Sequence, residues 1–170
     1  MHDDERVYRT AGEDSGVMEP LIGYRAWLAD GEGRLRSLVS PNGWWCVGTQ
    51  TAATCHRPIH RFDETDPGPA PHAANHPCGF HAYNTLAGLL AHGAADGDLR
   101  ERDGLTVVRG VVEGGGRTQE HNLGWRAQYA LAVAIIRFTP DDPSVRSDVL
   151  LTQYAASVRY GIPLIDPKDA

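Results

Sequence analysis

Apolar and polar positions alternate near the start of the chain in a pattern that predicts a β-hairpin. The run LIGYRAWL at 21–28 is aromatic and branched, and the run GRLRSLV at 33–39 alternates apolar and polar residues. The link ADGEG between them is rich in turn-forming residues. Two such runs on either side of a turn are typical of paired strands. Residues 44–47 predict a third short strand.

The middle of the chain predicts a long loop followed by a helix. Residues 54–79 contain five prolines and almost no apolar run. An irregular loop of this length is uncommon inside a compact domain, and something usually organises it. After Gly79, apolar residues recur at helical spacing and predict an amphipathic helix that ends at Gly93. Its apolar positions are Phe80, Tyr83, Leu86, Ala87 and Leu90.

The last part of the chain predicts two strands and a second helix. The β-branched run at 105–113 and the apolar run at 124–138 are expected to pair across the glycines at 114–116. Asp142 then caps a helix that ends at Gly161. The residues expected on the inner face of this helix are Leu150, Leu151, Tyr154 and Val158.

The order of these elements predicts an α+β fold: an antiparallel sheet, two main helices and a long Cys/His-rich loop. With 170 residues, of which 41% are apolar, the chain is long enough for one domain with its own core. Residues 1–20 are polar and acidic and predict a flexible tail. The single domain is expected at 21–165, and 166–170 is expected to be a flexible end.

The charge balance disfavours nucleic acid as a partner. The chain has 16 Lys and Arg against 22 Asp and Glu, a net charge of −6, and residues 1–20 alone contribute 2 − 6 = −4. Binding to phosphate backbones relies on a surplus of basic residues. No run of about 18 apolar residues occurs, and the acidic start does not match a secretory signal. We therefore expect a cytoplasmic protein with no membrane partner.

Two strands place an arginine between aromatic residues. GYRAW at 23–27 is echoed by GWRAQY at 124–129. On a strand Arg25 and Trp27 share one face, so a cation–π contact is possible there. Such an arginine can line a groove for a carboxylate or a stacked base. In the more ordinary interpretation its stem covers apolar surface while its head stays in water.

Residues 55–81 concentrate histidine and cysteine. This window holds five of the eight histidines and two of the three cysteines, where a uniform distribution would place about one histidine (8 × 27/170). A tetrahedral zinc site takes four Cys and His ligands, and two thiolates with two neutral imidazoles balance the charge of Zn²⁺. The window therefore predicts a zinc ion as cofactor.

Local geometry favours four of these residues as the ligands. The turn HPCG at 76–79 combines a stiff Pro with a Gly that lets backbone amides point at the sulfur. Cys78 would also precede the N-terminus of the predicted helix, which lowers the pKa of a thiol. Cys55 closes the site from the other end of the loop, and His72 lies four residues before His76. The predicted ligands are Cys55, His72, His76 and Cys78.

Two other interpretations of this window remain open. Cysteines of cytoplasmic proteins are often small buried residues, and histidines can accumulate in a solvated loop. If His56, His60 or His81 replaces a ligand, or if water is one, the metal site is open and can be catalytic. Cys46, beside two tryptophans, is expected in the core.

A cysteine hydrolase is the third interpretation. Cys78 at a helix start followed by His121 on a later strand matches the chain order of papain-like enzymes. Cys78 would be the nucleophile, His121 the base, and Glu120 or Asn122 the residue that orients the base. The likeness is one of order only, since no local signature of that family is present.

Five short motifs of the chain resemble those of a group of short actinobacterial proteins. They are Cys55, Ala70-Pro71, Cys78-Gly79-Phe80, Gly124-Trp125-Arg126-Ala127 and Tyr160-Gly161-Ile162-Pro163. In that pattern a Cys stands in place of His76, which exchanges one type of zinc ligand for another, and a Tyr stands in place of His81. The resemblance implies a bacterial origin and a metal site at the loop. It also implies that His81 is not a ligand, and it points to no particular reaction.

Together these observations predict a small cytoplasmic binding or regulatory module with a structural zinc site. Its partner would be a protein or a small molecule. The alternative is a hydrolase that depends on Cys78 and His121 or on an open metal site.

Overall fold

The computed structural model describes residues 20–38, 43–52, 79–92 and 104–170. Within these ranges the chain forms seven strands, two α-helices and a final short 3-10 helix. In chain order they are β1 (Leu21–Ala29), β2 (Leu35–Ser37), β3 (Thr51–Ala52), β4 (Phe80–Tyr83), α1 (Leu86–His92), β5 (Thr106–His121), β6 (Gly124–Ile136), α2 (Pro143–Tyr160), β7 (Leu164–Ile165) and the 3-10 helix Pro167–Asp169.

The strands form one sheet that curls until it meets itself. Strand β1 pairs along its whole length with β5, and β5 pairs with β6, in both cases antiparallel. On the other edge of β6 lies β4, which also reaches β1 at the single pair Tyr24↔Tyr83. The ring β1-β5-β6-β4 is therefore closed, and its interior is shielded from water.

Trp125 fills part of this interior, and two glycines make room for it. A Cβ at Gly23 would lie 2.6 Å from Trp125 Nε1, and a Cβ at Gly114 would lie 2.5 Å from Trp125 Cζ3. The indole N–H donates to the carbonyl of Ile22 at 3.1 Å. The glycines at 114–116, which sequence analysis assigned to a connection, are thus inside β5, and a side chain at Gly114 would collide with the indole. The turn between β5 and β6 lies instead at residues 122–123.

Helix α2 has the ends that the sequence predicts. The carboxylate of Asp142 accepts from the backbone N–H of Ser144 at 2.9 Å, and Gly161 closes the helix in the left-handed conformation. These are the local signals of an N-cap and a C-cap.

The predicted inner face of α2 is wrong. Leu151, Tyr154 and Val158 are 61% to 65% exposed, and Leu150 is half-buried. The buried residues are Thr152, Gln153, Ala156 and Tyr160. The close approach of the β1–β2 turn decides the orientation, since a Cβ at Gly33 would lie 2.4 Å from the backbone nitrogen of Ala156. A small residue is needed at that contact.

Two polar side chains fix α2 to the rest of the domain. The amide of Gln153 pairs with both backbone groups of Phe138, at 2.9 and 3.0 Å. The hydroxyl of Tyr160 accepts from the N–H of Leu35 and donates to the carbonyl of Trp45. The backbone groups of Leu35 and Trp45 would otherwise be buried without a partner, so these contacts help to define the position of the helix.

The structure confirms an α+β fold with an antiparallel sheet and two helices, to which β7 adds one parallel pairing. The hairpin of β1 and β2 is also confirmed. The predicted strand at 44–47 is reduced to an isolated bridge between Arg36 and Trp44. Residues 1–19 of the tail predicted at 1–20, and most of the Cys/His-rich loop, lie outside the described residues.

The helix predicted from Phe80 onward is wrong in its first part. Phe80 and Ala82 are buried and His81 is exposed, the period-2 pattern of a strand, and these residues pair with β6. Helix α1 starts only at Leu86, after Thr85, whose hydroxyl accepts from the N–H of Gly88 at 2.9 Å. Neither helix in the described part of the chain is long and apolar enough to cross a membrane.

Candidate functional site

The predicted zinc ligands Cys55, His72, His76 and Cys78 all lie outside the described residues, as do His56 and His60. Among the residues that are described, no group of three His, Cys, Asp or Glu side chains is arranged to hold a metal. The prediction that Cys46 lies in the core is wrong: it is an exposed free thiol, although the neighbouring Trp45 is buried.

The structure does show where the segment 53–78 is attached. Strand β3 pairs with β6 at Ala52↔Tyr129, and β4 pairs with β6 at Phe80↔Ala127. Strands β3 and β4 thus lie one after the other on the same edge of β6, and both run antiparallel to it. The partner residues on β6, Tyr129 and Ala127, are two positions apart and therefore roughly 7 Å from each other. The chain therefore leaves the sheet and returns to it at nearly the same place.

His121 and Glu120, the residues of the hydrolase interpretation, lie at the end of β5. His121 pairs with Gly124 across the turn, and its Nδ1 accepts from the N–H of Leu123 at 3.3 Å. Phe80 pairs with Ala127 on the opposite edge of β6. Because their partners Gly124 and Ala127 are three residues apart, His121 lies about 10 Å along β6 from Phe80.

Arg25 is one of four described arginines that lie over aromatic rings, and it contacts two rings at once. Its guanidinium carbon lies 5.6 Å from the ring centre of Trp45 and 5.7 Å from that of Phe80. These two rings are themselves in edge-to-face contact, with centres 4.9 Å apart. Both rings are buried. The guanidinium therefore takes part in two cation–π contacts at the wall of the core.

The hydrogen bonds of Arg25 go only to neutral acceptors. Nη1 donates to the carbonyl of His81 at 2.5 Å, and Nη2 is 3.5 Å from the hydroxyl oxygen of Ser37. Nε has no contact with solvent and no hydrogen-bond partner. Burial lowers the pKa of Arg25 to about 10, which leaves the group charged at neutral pH. Among the described residues no carboxylate pairs with it.

Arg34 shows the contrasting arrangement on the same hairpin. It lies over Trp44, with its guanidinium carbon 5.2 Å from the ring centre, but it is half-exposed. Its Nε donates to the carboxylate of Asp30 at 2.6 Å. Arg34 thus has a counter-charge, whereas Arg25 has none among the described residues.

Sequence reasoning named Arg25 but not its surroundings. The expected partner was Trp27 on the same strand, whereas the rings that contact Arg25 come from the segment after β2 and from β4. The interpretation with the arginine head in water is wrong for Nε. The aromatic residues around Arg25 were the only signal in the sequence, and they indicate a cation–π site without showing which ring is used.

Comparison of the chain with protein-family models, with curated proteins and with solved structures finds no significant match.

Proposed function

We propose that this protein is a small, non-enzymatic binding module in which a structural zinc ion organises the segment 53–78. The ligands are Cys55, His72, His76 and Cys78. Two thiolates and two imidazoles form a closed tetrahedral set with no position for a reacting water. The zinc stabilises the segment, and the surface of the domain carries the binding function.

The attachment of the segment on β6 carries this proposal. Ala52 and Phe80 lie end to end on one edge of the strand. A chain extends at most about 3.6 Å per residue, so Cys55 is within about 11 Å of Ala52, and Cys78 is within about 7 Å of Phe80. Both cysteines are thereby kept near the narrow base of a long loop. A metal held across that base removes much of the conformational freedom of the loop at a low entropy cost.

The strand at β4 also favours metal binding over a catalytic thiol. Because Phe80 begins a strand and not a helix, Cys78 does not precede a helix N-terminus. The helix that sequence analysis placed directly after Cys78, and whose dipole was expected to activate the thiol, therefore does not start there. Coordination to zinc deprotonates a thiol without such help, so the metal site does not depend on the missing helix.

The position of His121 also favours metal binding over a catalytic thiol. A nucleophile and its base must come within hydrogen-bond reach of each other. Strand β4 runs antiparallel to β6, so its N-terminal end, where Cys78 is attached, points away from the start of β6, beside which His121 of β5 lies. A dyad of Cys78 and His121 would require the chain to turn back along β4.

Metal analysis of untagged protein by mass spectrometry tests the proposal. We expect about one zinc ion per chain in the wild type, none in Cys55→Ser and none in Cys78→Ser. Cys46→Ser is the matched control, since this thiol is exposed and outside the proposed set, and it should retain the zinc. A wild-type protein without zinc, whose Cys78 reacts rapidly with iodoacetamide at neutral pH, would contradict the proposal and favour the hydrolase.

A further inference from the structure

We propose that the exposed face of α2 binds the same face of a second copy of this chain, so that the two helices form an antiparallel pair. The face consists of Leu151, Tyr154 and Val158, with Asp148 and Arg159 on one flank. This inference goes beyond the proposed zinc site and does not depend on it, because every residue that carries it belongs to α2.

The three apolar side chains form one stripe along the helix. Leu151, Tyr154 and Val158 follow each other at intervals of three and four residues, and all of them are exposed. Residues so spaced lie on one side of a helix. At about 100° per residue, this stripe lies opposite the buried residues, which are Thr152, Gln153, Ala156 and Tyr160. A second helix on the stripe therefore lies on the outer side of α2, and the two domains point away from each other.

Two charged residues flank the stripe, and neither has a partner in the described part of the chain. Asp148 and Arg159 are exposed and take part in no ion pair there. They are eleven residues apart, which is three turns and about 20°, so they lie on the same flank of the stripe. Their separation along the helix axis is about 16 Å, which is too far for them to pair with each other.

An antiparallel copy brings these charges together. In a two-fold pair of antiparallel helices, residues on the same flank face each other, and each contact occurs twice. If Asp148 lies opposite Arg159 of the second copy, then Arg159 lies opposite Asp148 of that copy, and two ion pairs form. A parallel copy would place position 148 level with 148 and position 159 level with 159, so that neither charge would meet its opposite. Charge complementarity therefore selects the antiparallel arrangement.

The apolar stripe independently gives the same register. When position 148 lies opposite 159 in an antiparallel pair, Leu151 lies opposite position 156, which is midway between Tyr154 and Val158. Each Leu151 thus enters the gap between these two side chains of the other copy, as side chains of packed helices fill the gaps of the facing helix. One register satisfies both the charges and the apolar side chains, which is the self-complementarity that a two-fold interface needs.

The size of the contact indicates a weak dimer. A standard interface buries roughly 800 Å² on each partner, whereas even a fully buried aromatic side chain contributes only about 150–250 Å². Exposed ion pairs add little affinity, although they select the orientation. We therefore expect a Kd on the order of 10 µM. Denaturation at about 1 µM protein then reports mainly on the monomer.

Sedimentation equilibrium at about 100 µM protein and low salt tests the proposal. We expect the wild-type mass to approach twice the 18.5 kDa of one chain. Leu151→Glu places a charge in the middle of the stripe and should weaken self-association at least tenfold, without lowering the unfolding temperature, because this residue is exposed. Leu90→Glu is the matched control. It makes the same change at an exposed leucine of α1 and should dimerise as the wild type does.

Exchange of the two charges tests the register. Asp148→Arg and Arg159→Asp, made singly, each oppose like charges at both ion-pair positions, and each should weaken self-association at least tenfold. An equimolar mixture of these two variants restores opposite charges in a heterodimer and should recover the wild-type mass. The chain that carries both substitutions should recover it as well.

Any of three results would overturn the proposal. They are a wild-type protein that is monomeric at about 100 µM, a Leu151→Glu variant that dimerises as the wild type does, and a mixture of the two charge variants that stays monomeric. The last result would contradict the antiparallel register even if the wild type forms a dimer.

Discussion

Tyr160 shows how a single hydroxyl group can connect distant parts of the chain. Its oxygen lies 3.1 Å from the nitrogen of Leu35 and 3.0 Å from the carbonyl oxygen of Trp45. Burial raises the pKa of Tyr160, which keeps the hydroxyl protonated and able to donate. The end of α2 is thereby joined to β2 and to the segment that carries the aromatic wall of the Arg25 site.

Replacing Tyr160 with Phe should destabilise the domain by about 2 kcal/mol or more. The substitution leaves a backbone N–H and a backbone carbonyl buried without partners, and each such group costs about 1–3 kcal/mol. Urea denaturation measures the change in the free energy of unfolding. Tyr154→Phe removes the same hydroxyl from an exposed position of the same helix and should change stability by less than about 0.5 kcal/mol. Equal effects of the two substitutions would show that the Tyr160 contacts do not stabilise the fold.

The carboxylate of Asp30 should contribute to the loss of stability of the domain in acid. Burial alone would raise the pKa of its carboxyl group, but hydrogen bonds from the backbone and side chain of Arg34, and from the N–H of Glu32, lower it. Because the folded pKa is below the unfolded one, this contribution is present at neutral pH. It is lost as the pH falls through the folded value.

The free energy of unfolding should therefore fall less in Asp30→Asn than in the wild type between about pH 6 and pH 3. Asparagine retains an oxygen that can accept the backbone N–H groups but does not titrate. Asp148→Asn, which removes an exposed carboxylate from α2, controls for net charge. If Asp30→Asn and the wild type lose stability in parallel, Asp30 has no part in the acid sensitivity.

At the scale of elements, the contact between the β1–β2 turn and α2 decides which helix face is buried. Gly33 has a φ of +76°, and a Cβ there would lie 2.3 Å from the carbonyl carbon of Ala155. The turn therefore touches the helix backbone itself. Larger side chains of α2 do not fit at this contact, and Leu151, Tyr154 and Val158 lie exposed on another face of the helix.

Comparison of two glycine substitutions isolates this contact. Gly48 also has a positive φ, +68°, but nothing lies within 4 Å of its Cβ position. Gly48→Ala should thus cost only the backbone strain, about 1 kcal/mol. Gly33→Ala should cost about 1–3 kcal/mol more, because the helix must move away from the turn. Similar losses for the two variants, measured by urea denaturation, would mean that the turn and α2 are not closely packed.

At the scale of the whole molecule, most of the described strand pairing lies in β1, β5 and β6, which do not border the segment between Ala52 and Gly79. Strands β1, β5 and β6 pair along most of their length and hold the largest buried side chains of the core. Strands β3 and β4, by contrast, are short and border that segment. Loss of the proposed zinc ion should therefore affect the molecule locally.

Chelation of zinc should speed amide hydrogen exchange in β3 and in the first residues of β4, with little change in β5 and β6. The reason is that local opening of short border strands requires less free energy than opening of the central strands. Exchange measured by mass spectrometry before and after a chelator tests this expectation. Faster exchange in all strands would show that the whole fold needs the metal, and no change anywhere would show that zinc does not organise the segment.

The sequence by itself determined the features that depend on residues close together in the chain. The hairpin of β1 and β2 and both ends of α2 follow from alternation, turn residues and caps that act within a few positions. The sequence also identified Arg25 as a cation among aromatic residues. The choice of zinc ligands remains a prediction, since those residues lie outside the described ranges.

Only the tertiary structure decided which faces and partners these elements use. Four residues from Phe80 fit a helix as well as a strand, and the free edge of β6 selects the strand. The buried side of α2 carries Thr152, Gln153, Ala156 and Tyr160, because the turn at Gly33 packs against the helix backbone and Gln153 and Tyr160 find partners in the domain. The rings around Arg25 come from segments about 20 and 55 residues away. Such contacts depend on shape and space between distant parts of the chain, which no local pattern encodes.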